Sequence, residues 1–168
     1  SASGFTATGL VNSETTAVLT GVSVSGGGTN AGTYTTTASG TDTNYNLSFV
    51  TGTMTIGKAA LTVTAANASK TYDGLSYSGG NGVSYSGFVN SETSAVLGGS
   101  LSYSGTSQNA INGGTYTIAA SGLTSSNYDI TFVNGSLTVN KAAATVTANS
   151  DTYTYNGLAR VASGYTVS

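Results

Sequence analysis

The chain repeats itself, and the repeat keeps its order. GLVNSETTAVLTG (9–21) returns as GFVNSETSAVLGG (87–99), with ten of 13 positions identical. NAGTYTTTASG (30–40) returns as NGGTYTIAASG (112–122), with eight of 11. NYNLSFVTGTMTIGKAA (44–60) returns as NYDITFVNGSLTVNKAA (127–143), with nine of 17, and KAALTVTAANASKTYDGL (58–75) as KAAATVTANSDTYTYNGL (141–158), with 11 of 18. The offset is 78, then 82, then 83 for the last two blocks, so length changes only between blocks. Blocks that hold their length while their spacing drifts are structural elements joined by variable loops. The ends match too: VASGYTVS (161–168) resembles SASGFTAT (1–8). Three segments follow. Residues 1–57 are the C-terminal part of a repeat, 58–140 a complete repeat, and 141–168 the N-terminal strands of a following one. A sequence that opens and closes in mid-repeat is expected to be a window on a longer tandem array.

Within each block the apolar period is two. Tyr128, Ile130 and Phe132 alternate with Asp129, Thr131 and Val133; Leu137 and Val139 alternate with Ser136 and Thr138. That is the pattern of a strand with one face buried. Asn134-Gly135 between the two runs predicts a two-residue hairpin turn, since both residue types tolerate positive φ. In the other copy Tyr45, Leu47 and Phe49 take the inward role and Met54 and Ile56 the return, across Thr51-Gly52. Further strands are expected at 60–65, 70–72, 83–89, 95–97, 101–104 and 115–119, and at the equivalent positions 143–148, 153–155, 5–11, 17–19, 22–24 and 33–37. No segment sustains a helical period; turns are expected near Asn12–Thr15 and Asn90–Thr93. Seven or so short strands in a repeat of about 80 residues predict an all-β chain of tandem Ig-like β-sandwich repeats. A β-grasp-like repeat unit is the alternative. Lys141-Ala142-Ala143 joins one repeat to the next without Gly or Pro, so neighbours are expected to be coupled into an elongated rod.

Composition narrows the function. Only 6% of residues are charged and the net charge is −2, which leaves no basic face for nucleic acid. No apolar run is long enough to insert in a membrane. The sequence has no Cys and no His, so disulfides, thiol nucleophiles and imidazole bases are all missing. The carboxylates are Glu14, Asp42, Asp73, Glu92, Asp129 and Asp151, of which only Glu14 and Glu92 are equivalent in the repeat. No catalytic, metal or cofactor residue is assigned, no cofactor is expected, and the chain is read as no enzyme. Calcium is disfavoured because no loop is rich in Asp.

The motifs KTYDGL (70–75), GFVNSE (87–92), GGTYTI (113–118), SSNYDITFVNGSLTVNKA (125–142) and LTVTA (61–65) occur in this order. Together they resemble the MBG/YDG-type repeats of very large bacterial surface proteins, which are often filamentous-haemagglutinin-like or otherwise adhesin-like. The resemblance covers the whole chain and implies display outside the cell, at the bacterial surface. It implies no catalytic residue. Asn156 stands where the YDG motif has Asp, which points to a turn role that Asp and Asn share.

Several residues admit two readings. Glu14 and Glu92 in VNSET either contact a sugar or cation or belong to a capped turn, and the turn is favoured. Tyr72, Tyr77, Tyr85 and Tyr103 are candidates for a carbohydrate platform. Tyr34/Tyr116, Tyr45/Tyr128 and Tyr72/Tyr155 recur at matching positions, as core and corner tyrosines do. Lys58 and Lys141 are candidate isopeptide donors, but solvated junction charges are the simpler reading. TYTTT (33–37) is a short Thr array that the second copy does not keep.

The leading functional reading is a structural repeat in the stalk or fibre of an extracellular adhesin, its partners being neighbouring repeats of the same chain. One alternative is a multivalent module that binds glycan or host protein; its ligand-binding residues are unknown from sequence. Another is a filament subunit. Residues 1–57 lack the opening strands that 141–160 carry in surplus, so molecules could assemble head to tail by strand complementation.

Overall fold

The computed structural model describes residues 4–167. The first three positions of the 1–57 segment, and Ser168, lie outside the described residues. The fold is all-β and sandwich-like. Strands are β1 (Val22–Ser25), β2 (Gly32–Gly40), β3 (Gly52–Ile56), β4 (Ala59–Ala65), β5 (Ala68–Thr71), β6 (Val83–Ser86), β7 (Gly98–Ser104), β8 (Gly114–Thr124), β9 (Tyr128–Val133), β10 (Gly135–Asn140), β11 (Val146–Ala148) and β12 (Tyr165–Val167). Residues 58–140 hold seven strands, β4 to β10.

The strands form sheets ordered β1-β2-β3, β6-β4-β9, β5-β10-β8-β7 and β11-β12. The chain divides into two compact units. One comprises residues up to Thr64 with Ser84–Leu101 and Ser121–Val133; the other comprises Ala65–Val83, Ser102–Ala120 and residues from Asn134 onward. In the first unit the core is Leu19, Leu61, Val63 and Tyr128. Leu61 and Val63 are alternate residues of β4, the central strand of its sheet, and both are fully buried. Each such side chain contributes about 1.5–3 kcal/mol of transfer free energy. In the second unit Ile118 and Ala120 of β8 and Leu137 and Val139 of β10 follow the same alternation.

The expected hairpin at Asn134-Gly135 is not formed. β9 pairs with β4 and β10 pairs with β5 and β8, so the chain leaves one sheet and enters another at this dipeptide. Neither residue has positive φ. Gly135 serves close approach instead: a Cβ there would stand 2.6 Å from the Ala65 carbonyl oxygen and 2.8 Å from that of Ala66. The partners run parallel. Ala59–Thr64 lie beside Tyr128–Val133, and Ala68–Thr71 beside Leu137–Asn140, at one constant register displacement. At the crossing the Asn67 side chain takes over the ladder, its Oδ1 accepting from the Ser136 N–H at 2.8 Å.

Other departures are local. Residues 95–97 and 17–19 are not strands; 3-10 turns occupy Ser94–Val96 and Thr16–Val18. They follow the expected turns, where Asn12, Ser13, Asn90 and Ser91 hold positive φ. Consecutive left-handed residues reverse the chain too tightly for a strand to start at once. Residues 5–11, 44–49 and 153–155 form no strand.

Candidate functional site: an open strand position in the first repeat

The two VNSET loops are built alike. The Glu14 N–H donates to the Val11 carbonyl at 3.1 Å and the Glu92 N–H to the Val89 carbonyl at 3.0 Å. The Tyr45 hydroxyl accepts from the Val11 N–H at 3.1 Å and donates to the Glu14 carboxylate. The Tyr128 hydroxyl accepts from the Val89 N–H at 3.1 Å and donates to the Glu92 carboxylate at 2.5 Å. Each Glu is therefore a clasp for a tyrosine distant in sequence, and the Thr93 hydroxyl caps the turn by accepting from the Ala95 N–H. The hydrogen bond to the carboxylate pushes both phenols above the ordinary tyrosine pKa, because the neighbouring anion disfavours phenolate. Phe88 closes on the Tyr128 ring edge-on at 5.4 Å.

The other recurring residues are structural as well. The Tyr34 hydroxyl donates to the Asn30 carbonyl at 2.8 Å and that of Tyr116 to the Asn112 carbonyl at 2.9 Å, the same corner bond in both copies. Asp73 Oδ1 accepts from the Leu75 N–H and Asn156 Oδ1 from the Leu158 N–H, the shared turn role expected at the YDG position. Lys70 pairs with Asp73 at 2.7 Å and holds its carboxyl below the usual range. The Lys58 ammonium donates to the Ser125 carbonyl at 3.0 Å.

Of the tyrosines considered for a sugar platform, Tyr85 falls in the first unit and Tyr72, Tyr77 and Tyr103 in the second. Tyr85 stacks obliquely on Phe88 at 5.6 Å, and Tyr103 lies over Gly80, where a Cβ would meet the ring. Tyr77 pairs through its backbone with Asn109 and Ala110, beside a polar depression that includes Asn67, Asn81 and Ser136. Among the described residues no group of three or more acidic side chains is placed to hold a metal ion, and no helix is long and apolar enough to cross a membrane.

Sequence reasoning missed Asn127. Its Oδ1 accepts from the Ala31 N–H at 2.9 Å and its Nδ2 donates to Asn30 Oδ1 at 3.0 Å, while its carbonyl accepts from the Ala59 N–H at 2.9 Å. One residue of the complete repeat thus binds both the corner loop of the first repeat and the start of β4. Asn44 occupies the same repeat position, so the signal was present as a recurring Asn-Tyr pair, but only the fold says what it reaches.

A groove of about 1020 Å³, lined by both polar and apolar groups, lies in the first unit. Its walls are residues 4–10 and 45–52, floored by Leu19, Val22, Val24 and residues 36–38. In the repeat these walls correspond to β6 and β9. Between β6 and β9 stands β4; between 5–10 and 45–50 no described strand stands. The glycines record the difference. A Cβ on Gly87 would lie 2.4 Å from the Ala60 carbonyl oxygen of β4, whereas one on its equivalent Gly9 would meet nothing within 4 Å. Gly135 faces the Ala65 and Ala66 carbonyls; its equivalent Gly52 faces only the Thr36 hydroxyl.

Residues 1–55 and 61–138 match the sequence profile of the MBG domain (YGX type), and the chain belongs to that family. The family is a non-catalytic repeat module that occurs in surface proteins. Comparison with curated proteins and with solved structures gives no match.

Proposed function

We propose that the chain is a structural module of a giant extracellular bacterial protein, forming the stalk or fibre of an adhesin. The joint between repeats is the observation that supports this reading most. Gly57 and Lys58 alone separate β3 from β4, and Asn127 ties the Asn30-Ala31 corner to the Ala59 N–H. A short linker bridged by side-chain and main-chain hydrogen bonds restricts the bending that a flexible linker would allow. The repeated polar residues support it as well. The VNSET glutamates, the corner tyrosines and the YDG-position Asp and Asn all spend their bonds inside the fold.

Small-angle scattering from concatemers of increasing repeat number tests the reading. The maximum dimension is expected to rise by a fixed increment per repeat. Compact particles, or the statistics of a flexible chain, would refute it.

A further inference from the structure

We propose that the polar depression beside Tyr77 is a binding site for an uncharged mono- or disaccharide unit of a glycan. Every residue that lines it lies inside the complete repeat 58–140 and inside the second unit. Asn67 and Ser69 come from the turn before β5 and from β5 itself, Tyr77, Ser78 and Asn81 from the loop between β5 and β6, and Thr138 from β10. The volume is about 690 Å³, within the range of small-molecule sites.

The loop that forms one wall is irregular in conformation yet firmly held. The Tyr77 N–H donates to the Ala110 carbonyl at 2.9 Å, and the Tyr77 carbonyl accepts from the Asn109 N–H at 2.8 Å. The Gln108 side-chain amide brackets Gly79, accepting from its N–H and donating to its carbonyl, both at 2.8 Å. The Gly82 carbonyl accepts from the Ala66 N–H at 2.9 Å, and Asn81 Nδ2 donates to the Asn67 carbonyl at 3.0 Å. A ligand that contacts residues 77–82 therefore meets groups already in place, and the entropic cost of ordering them is met by folding.

The polar groups left over are uncommitted. Asn67 Oδ1 is taken by the N–H and the hydroxyl of Ser136, at 2.8 and 3.2 Å, which leaves its Nδ2 free to donate. Asn81 has given its Nδ2, which leaves its Oδ1 free to accept. The hydroxyls of Ser69, Tyr77, Ser78 and Thr138 have no partner among the described residues. The recurring Glu, Tyr and Asp side chains of the repeat do the opposite and bond within the fold. No charged residue lines the depression, and neighbouring Lys70 is committed to Asp73 and to the Leu75 carbonyl. An ionic ligand would lose water here without gaining a counter-charge. Sugar hydroxyls both donate and accept, as these groups do, and Tyr77 adds aromatic surface for the C–H face of a ring.

The test uses the full chain, displayed in many copies on beads so that weak sites add. An array of neutral glycans and of sialylated and sulfated ones is the probe, and retention on neutral glycans is expected. Titration of the isotope-labelled chain with the best-retained neutral glycan is expected to shift the amide resonances of residues 67–69, 77–81 and 136–138. Ser69→Ala with Thr138→Val removes two exposed hydroxyls and keeps both strands. The pair is expected to weaken binding about tenfold or more at an unchanged unfolding midpoint. Ser69→Trp fills the depression and is expected to abolish binding. Retention of no neutral glycan, or of charged glycans alone, overturns the proposal. So do resonance shifts that map elsewhere, or binding that survives both the paired variant and Ser69→Trp.

Discussion

Residues 4–57 and 58–140 contain two copies of nearly the same instructions, one with its central strand and one without. Both copies form the tyrosine corner and the tyrosine–glutamate clasp, and β2-β3 pairs as β8-β10 does. What they do not share is the ladder. Residues 83–86 and 128–133 are strands on either side of β4, while 5–10 and 45–50, with closely similar sequence, are not. Clasps and corners close through a few side-chain contacts and survive alone. A strand is defined by the partner it bonds, so its presence is decided by what lies beside it rather than by its own residues.

The comparison can be broken most severely at the central strand. Leu61→Ala should cost about 2–5 kcal/mol in urea unfolding, as a fully buried leucine leaves a cavity. Leu47→Ala, on the wall of the open groove, should cost less than half of that. Near-equal losses would mean that the open copy is as tightly packed as the closed one.

The glycine pair sharpens it further. Gly87→Ala adds a clash with the Ala60 carbonyl to the strain of positive φ, while Gly9→Ala adds the strain alone, about 1–2 kcal/mol. Thermal unfolding should therefore rank Gly87→Ala well below Gly9→Ala. Equal midpoints would contradict the vacancy at Gly9.

Asn127→Ala removes both side-chain bonds of the joint and should cost about 1–3 kcal/mol. Faster hydrogen exchange at the Ala31 amide is the specific signature, because that N–H loses its acceptor. Unchanged exchange would mean that the joint is not held by this residue.

The smallest effects concern pH. Both clasp phenols have raised pKa values, so the folded state holds their protons more tightly than the unfolded chain. Their contribution is complete below the ordinary tyrosine pKa of 10.0 and is lost as pH climbs through the raised values. Tyr128→Phe should flatten the alkaline fall in melting temperature more than Tyr45→Phe, because Tyr128 is the more buried. At the acid end Asp73, whose pKa is lowered by Lys70, contributes above the ordinary carboxylate range and loses that contribution as pH falls through the depressed value. Asp73→Asn keeps the turn, as Asn156 shows, and should remove only that acid dependence.

Much of this was legible in the residues. Period-two runs located β4, β8, β9 and β10, matching tyrosines announced the corners, and Asn156 announced the turn at the YDG position. The pairing was not legible. Parallel partners are joined by long excursions that leave no turn signature, so nothing near Tyr128 names Ala59 as its neighbour. Asn134-Gly135 misled because glycine permits two different things, a left-handed turn and a close backbone approach, and the chain uses the second. The candidate groove lies between these cases. The repeat offset aligned its walls with β6 and β9, but only the fold showed that a Cβ at Gly9 would meet nothing within 4 Å where one at Gly87 meets the Ala60 carbonyl.

The parallel register of 59–71 with 128–140 has a mechanical consequence. Lys58 begins the complete repeat and Asn140 ends it, and each leads directly into or out of this pair. Tension along the backbone pulls the two strands in opposite directions along their own length. The evenly spaced bonds of the β4–β9 and β5–β10 ladders are then loaded in shear, together, instead of being peeled open one after another. Tethering the repeat by its first and last strands places its strongest resistance along the line of a pull on its two ends.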